Sequence, residues 1–269
     1  MRPLLKFFSL TYAATWTCWA ASLAISRGTA PAAPVLAGAV FLLGTIAPGL
    51  IAIALTERKE GHAATRALLR QVFHWRVGAR WYVFAAGYIL TIKLSVALVI
   101  RVATGVWPRF GQEPIYLMAA ATAFSTWIQA GEEIGWRGYA LPRLADRFGL
   151  ATASIILGIL WATWHLPLFF VPASDTFGQS FPLYLLQVTA LSVALAWLYW
   201  RTEGSLLLVM LLHAAINNTK DIVPSATPGA TNVLALGASL VAWLTVALLW
   251  IAAAYFLVRM SRSALRATA

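Results

Sequence analysis

The sequence predicts an all-α integral membrane protein with about eight transmembrane helices. Three observations point there. Of 269 residues, 61% are hydrophobic and 11% charged, whereas soluble domains carry roughly 25% charge. The apolar residues come in runs of about 20, the length that crosses a bilayer at ~1.5 Å rise per residue. The cations gather between those runs. The net charge of +11 therefore reads as membrane topology, with the lipid bilayer as partner and no nucleic acid.

The spans fall at about 7–25, 35–55, 82–103, 114–136, 150–170, 182–200, 205–220 and 233–258. The first follows a basic start, Arg2 and Lys6. It is long and carries Trp16 and Trp19, unlike the short apolar core of a signal peptide, so a retained helix is expected. It also holds Cys18, the single cysteine, which leaves no intrachain disulfide. The longest connection is 56–81. There Leu68, Leu69, Val72 and Phe73 oppose Arg66 and Arg70, the spacing of a helix lying in the membrane interface. His62 and His74 in this connection read as surface residues. The breakers Pro31, Pro34, Pro108, Pro172 and Pro224, and Pro228 with Gly229, punctuate the connections on the other side. The seventh span is short, which a helix surrounded by protein tolerates.

Orientation follows from the cations, because basic connections stay cytoplasmic. Of the 20 Lys and Arg, Lys93 falls mid-span. With the N-terminus inside, Arg27, Arg101, Arg109 and Lys220 lie outside and the remaining fifteen inside. The expected product is a multi-pass protein of a bacterial cell membrane with both termini cytoplasmic. A single membrane domain, 1–269, accounts for the chain: N-terminal helices and a basic inner loop to 113, a motif-bearing core over 114–220, and a last helix with a basic tail over 221–269.

Few polar groups interrupt the spans. Of nine acidic residues, Glu57, Glu60, Glu113, Asp146, Asp175, Glu203 and Asp221 fall in connections or at span ends. Glu132 and Glu133 alone join an apolar run. His165, His213, Asn217 and Asn218 lie inside spans. Ionisable groups at membrane depth are expensive, and by default they mark function. Gly149 lies near the midpoint between Glu132 and His165, so a turn over Asp146–Gly149 brings their helices antiparallel. On straight helices Glu132 and His165 then lie roughly 24 Å from the turn, and His213 about 14 Å into its own helix. Those heights disagree, and a tilt or a kink at Pro142 is expected to absorb the difference. Glu133 and Arg137 are an i,i+4 pair able to satisfy each other. Glu132 points about 100° away. Trp161 shares a face with His165, and His213 shares one with Asn217. Trp136, Trp161 and Trp164 read mainly as packing aromatics, and Asn218 as structural.

Glu132-Glu133-Ile134-Gly135-Trp136-Arg137, then Trp161-x-x-x-His165, then His213-x-x-x-Asn217 resemble the CPBP family of intramembrane proteases. That family includes the CAAX prenyl endopeptidases of the Rce1 type, the bacterial Abi proteins and bacteriocin-immunity proteins. Its pattern is E-E-x-x-x-R, F-x-x-x-H and H-x-x-x-N. The first and third motifs match fully; in the second, Trp161 stands where Phe is usual. The resemblance covers roughly 114–220. It implies eight helices around a cytoplasm-facing cavity and peptide hydrolysis by a glutamate-activated water. Carried over, Glu132 is the base and His165 holds and polarises the water. His213 and Asn217 stabilise the oxyanion, and Glu133, Arg137 and Trp161 support them. The implied substrate is a membrane-associated peptide or protein, in some members lipidated.

No cofactor is expected. A zinc version would use Glu132, His165 and His213, but the one-helix H-E-x-x-H spacing is absent. Two other classes compete: a proton-coupled transporter using the same three side chains as a relay, and a non-catalytic immunity scaffold. Transporters show duplicated halves with matched broken helices, and no such repeat occurs here. A scaffold has no need of all three motifs.

Overall fold

The computed structural model describes residues 2–28, 30–172, 174–225 and 232–267, with side chains through Ser261; Pro228 and Gly229 lie outside these. Among the described residues the structure is helical, without strands. The main helices are α1 (Arg2–Ser26), α2 (Ala33–Arg70), α3 (Ala79–Thr104), α4 (Ile115–Ile128), α5 (Ala130–Glu133), α6 (Leu141–Phe148), α7 (Leu150–Trp164), α8 (Phe181–Arg201), α9 (Leu206–Thr219) and α10 (Leu240–Ala267). A π-helical segment, Ile134–Ala140, joins α5 to α6.

Each expected span coincides with a helical stretch, but the count of eight crossings is not reproduced. Five stretches among the described residues are long and apolar enough to cross a bilayer: Ala33–Phe73, Ala79–Thr104, Leu150–Phe170, Phe181–Arg201 and Leu240–Ser261. The last begins at Leu240, not near 233, because Asn232–Ser239 is not helical. The outward faces are apolar, with Val35, Val83, Val102 and Phe124 more than 70% exposed. Such a surface calls for lipid or another partner.

The 56–81 connection contains more helix than expected. α2 continues through it to Arg70, broken at Gly61, whose φ of 81° lies in the left-handed region glycine tolerates. Beyond the break Leu68 and Val72 are buried, whereas Leu69 and Phe73 are exposed. The buried stripe is therefore narrower than the sequence spacing indicated. His62 pairs with Glu57 at 2.8 Å on the exposed side, and Glu60 pairs with Arg143 of α6.

α1 packs on α2, α7 on α6 and α8, α10 on α8 and α3, and both α3 and α4 on α9. Lys93, a cation in the middle of α3, is fully buried. It is satisfied because its Nζ donates to the Val223 carbonyl and the Ser225 hydroxyl, both at 3.1 Å. The expected turn at Asp146–Gly149 is present, with Gly149 at φ 75° between α6 and α7. Pro142 occupies the first turn of α6, directly after the π-helical segment.

α2 lies directly against the segment that carries the two glutamates. A Cβ on Gly135 would sit 2.6 Å from the Pro48 carbonyl carbon, and one on Gly131 would sit 2.5 Å from Ile46 Cγ2. Glycine here permits the backbones to touch. Gly135→Ala is expected to cost about 1–3 kcal/mol through overpacking, read as a lowered thermal midpoint in detergent. Gly87→Ala in α3 is the control. Nothing lies within 4 Å of that Cβ, and the helix propensity gained makes it neutral to stabilising.

Candidate active site

The first motif does not lie on a regular α-helix. Leu141 N–H donates to the Trp136 carbonyl, the i→i+5 bond of a π turn, a feature frequent at functional sites. All residues from Glu132 to Leu141 are buried. The expected i,i+4 ion pair is present and two-pronged: Arg137 Nη1 donates to Glu133 Oε1 at 2.8 Å and to Oε2 at 3.0 Å. Both side chains are 0% exposed. His213 joins them, its Nδ1 lying 2.7 Å from Glu133 Oε1. α9 is thereby locked to the first motif through the second glutamate, an attachment the sequence reading did not foresee.

Glu132 is held differently. Its Oε2 accepts from Trp161 Nε1 at 2.9 Å and from Trp136 Nε1 at 3.3 Å. Trp136 and Trp161 therefore do more than pack. An indole N–H buried among apolar residues finds an acceptor, and in this bundle acceptors are few. Oε1 takes neither of these bonds. Glu132 lies within electrostatic range of His165 and Tyr184, but among the described residues neither hydrogen bonds to it.

His165 ends α7, and its ring meets Tyr184 in the first turn of α8 at 5.6 Å. Its Nδ1 lies 2.9 Å from the Trp161 carbonyl. A carbonyl only accepts, so Nδ1 carries the proton and Nε2 keeps a lone pair. The expected Trp161–His165 ring contact is present, edge-on at 5.8 Å. Trp161 also meets the His213 ring at 5.1 Å and lies under the Arg137 guanidinium at 4.2 Å. That stacking faces a guanidinium whose Nε and Nη2 are buried without hydrogen-bond partners. Behind these groups stands an aromatic wall, in which Trp164 meets both Trp136 and His165.

Asn217 is exposed on the next turn of α9 after His213 and makes no hydrogen bond to Glu132, His165 or His213 among the described residues. Asn218 is structural, as expected: its Nδ2 donates to Ser125 Oγ at 2.8 Å and to the Ala214 carbonyl at 2.7 Å, linking α9 to α4.

Glu132, Glu133, Arg137, Trp161, His165 and His213 thus meet in one cluster, while Asn217 of the third motif is exposed. A zinc ion would need donors in that cluster. Both imidazoles present Nδ1 to an acceptor, which would suit ligation through Nε2. Yet among the described residues no three His, Cys, Asp or Glu side chains are grouped to hold a metal ion.

Comparison with known proteins agrees with the geometry. Residues 112–219 match the family model of type II CAAX prenyl endopeptidases, Rce1-like. The chain is also 25% identical over 243 residues to the CAAX prenyl protease 2 of Methanococcus maripaludis, covering 82% of this chain and 84% of that protein. The segment that carries the buried cluster is the one that matches the Rce1-like endopeptidases, and the resemblance drawn from its three motifs is borne out.

Proposed function

We propose that the protein is an intramembrane endopeptidase that hydrolyses a peptide bond of a membrane-associated protein or peptide, using water activated by Glu132. The observation that carries this reading is the state of the two groups that would handle the water. Glu132 has one oxygen pinned by two indoles and one left over. His165 has Nδ1 committed to a carbonyl, so Nε2 accepts. A water between them gives one hydrogen to Glu132 Oε1 and one to His165 Nε2, which turns its lone pair toward a scissile carbonyl. Glu132 then takes the proton as base and passes it to the leaving amine.

His213 and Asn217 supply the oxyanion donors. Because Nδ1 of His213 is engaged by Glu133, only Nε2 is available. It donates to the oxyanion when it carries a proton. Preorganised donors of this kind contribute ~3 kcal/mol each in other hydrolases. Glu133 and Arg137 hold His213 in place. The names of the matched relatives, a CAAX prenyl endopeptidase family and a CAAX prenyl protease, support a lipidated substrate. A lipidated peptide delivers its scissile bond to a site buried in the bilayer.

The test uses the purified protein in liposomes with a farnesylated peptide ending in a C-a-a-X sequence and the same peptide without the lipid. Release of the C-terminal fragment from either supports the reading, and preference for the farnesylated one supports the substrate class. No cleavage, together with proton flux that depends on Glu132, would replace it with the transporter. Cleavage is also expected to survive a strong chelator; activity lost to the chelator and restored by zinc overturns the metal-free route.

A further inference from the structure

Trp161 is the hub of the cluster. It is 3% exposed and touches four of the functional side chains. Its N–H reaches Glu132, its ring face lies on Arg137, and its ring meets both imidazoles. Its own carbonyl sets the tautomer of His165. The carbonyl contact is available to any residue at this position. The N–H contact is not: phenylalanine, usual here in the family pattern, has no donor, and its ring attracts a cation less strongly than indole does.

We propose that Trp161 is a positioning residue of the reaction, its indole N–H fixing Glu132 Oε2 so that Oε1 faces the water. This rests on the reading of Glu132 as base. A carboxylate on a flexible side chain presents either oxygen over a range of angles. Two donors on one oxygen remove that freedom. The bond at 2.9 Å from Trp161 is shorter than the one at 3.3 Å from Trp136, so Trp161 is the main restraint. The departure from phenylalanine is then a gain of orientation at the reacting carboxylate.

The decisive variant replaces Trp161 with β-(3-benzothienyl)alanine, which keeps the bicyclic shape and exchanges N–H for sulfur. The expected result is a kcat lowered about tenfold, the size of loss small misplacements of a reacting group produce, with KM and thermal midpoint unchanged. Trp161→Phe, which installs the residue usual in the family, is expected to lose at least as much kcat, again at constant KM. Wild-type kcat in the benzothienyl variant overturns the proposal. So does a loss accompanied by a raised KM or a lowered midpoint, which would mark a packing role. Glu132→Gln, measured alongside, separates the two readings. If it stays active, the base assignment fails; if it is inactive while deletion of the N–H is silent, only the role of Trp161 fails.

Discussion

Glu132→Gln is expected to give a folded, membrane-inserted protein whose cleavage of a membrane-anchored peptide falls by about 10³-fold, within the 10²–10⁴ that a positioned general base contributes. The amide keeps the shape of the carboxylate and an oxygen able to accept the indole N–H groups of Trp161 and Trp136. It cannot take a proton from water. Because the change also removes a buried charge, the thermal midpoint in detergent should not fall. Retained turnover would show that Glu132 is not the base. A fall in turnover together with a fall in midpoint would point to a structural charge.

Arg137→Met has the largest expected effect on stability. It leaves Glu133 fully buried with His213 as its remaining partner. Breaking one side of a buried ion pair typically costs about 3–5 kcal/mol, because the surviving charge is left uncompensated. The midpoint should drop sharply, and with it the yield of folded protein. The double change Glu133→Gln with Arg137→Met removes both charges and should recover much of that stability but not the activity, since His213 then loses the carboxylate that orients it. A single variant as stable as wild type would show that the pair carries little of the fold.

Much of this was legible in the sequence because hydrocarbon is so poor a solvent for polar groups. In a chain that is 11% charged, each ionisable residue inside an apolar run needs a reason. Following Glu132, Glu133, His165 and His213 identified the elements that meet. The i,i+4 spacing of Glu133 and Arg137 was sufficient to pair them. Which glutamate His213 would choose was not readable, since that depends on the rotation of α9 about its axis. The π turn was also hidden. It arises from backbone hydrogen-bond choice within Ile134–Ala140, and the tight seat of Gly135 on Pro48 becomes visible only once α2 is in place. The indole bonds to Glu132 did leave a signal: a buried Trp N–H requires an acceptor, and few exist in these spans. Hydrophobic runs mark helices reliably but not whether each one spans, so the crossing count does not follow from them.

The lysine in α3 has a consequence for how the chain is made. Lys93 is neutralised by no neighbour on its own helix; its partners, Val223 and Ser225, come after α9. Glu133 likewise waits for His213 on α9. Lys93 therefore enters the membrane long before the segment that satisfies it has been synthesised, and Glu133, though paired within its own segment by Arg137, does so before its imidazole partner. Until then α3 and the α4–α6 stretch must stay beside the insertion machinery or in water-accessible surroundings. The bundle closes late, when α9 arrives, and a chain truncated ahead of it would leave a lysine without its acceptors and a glutamate without its imidazole in the bilayer.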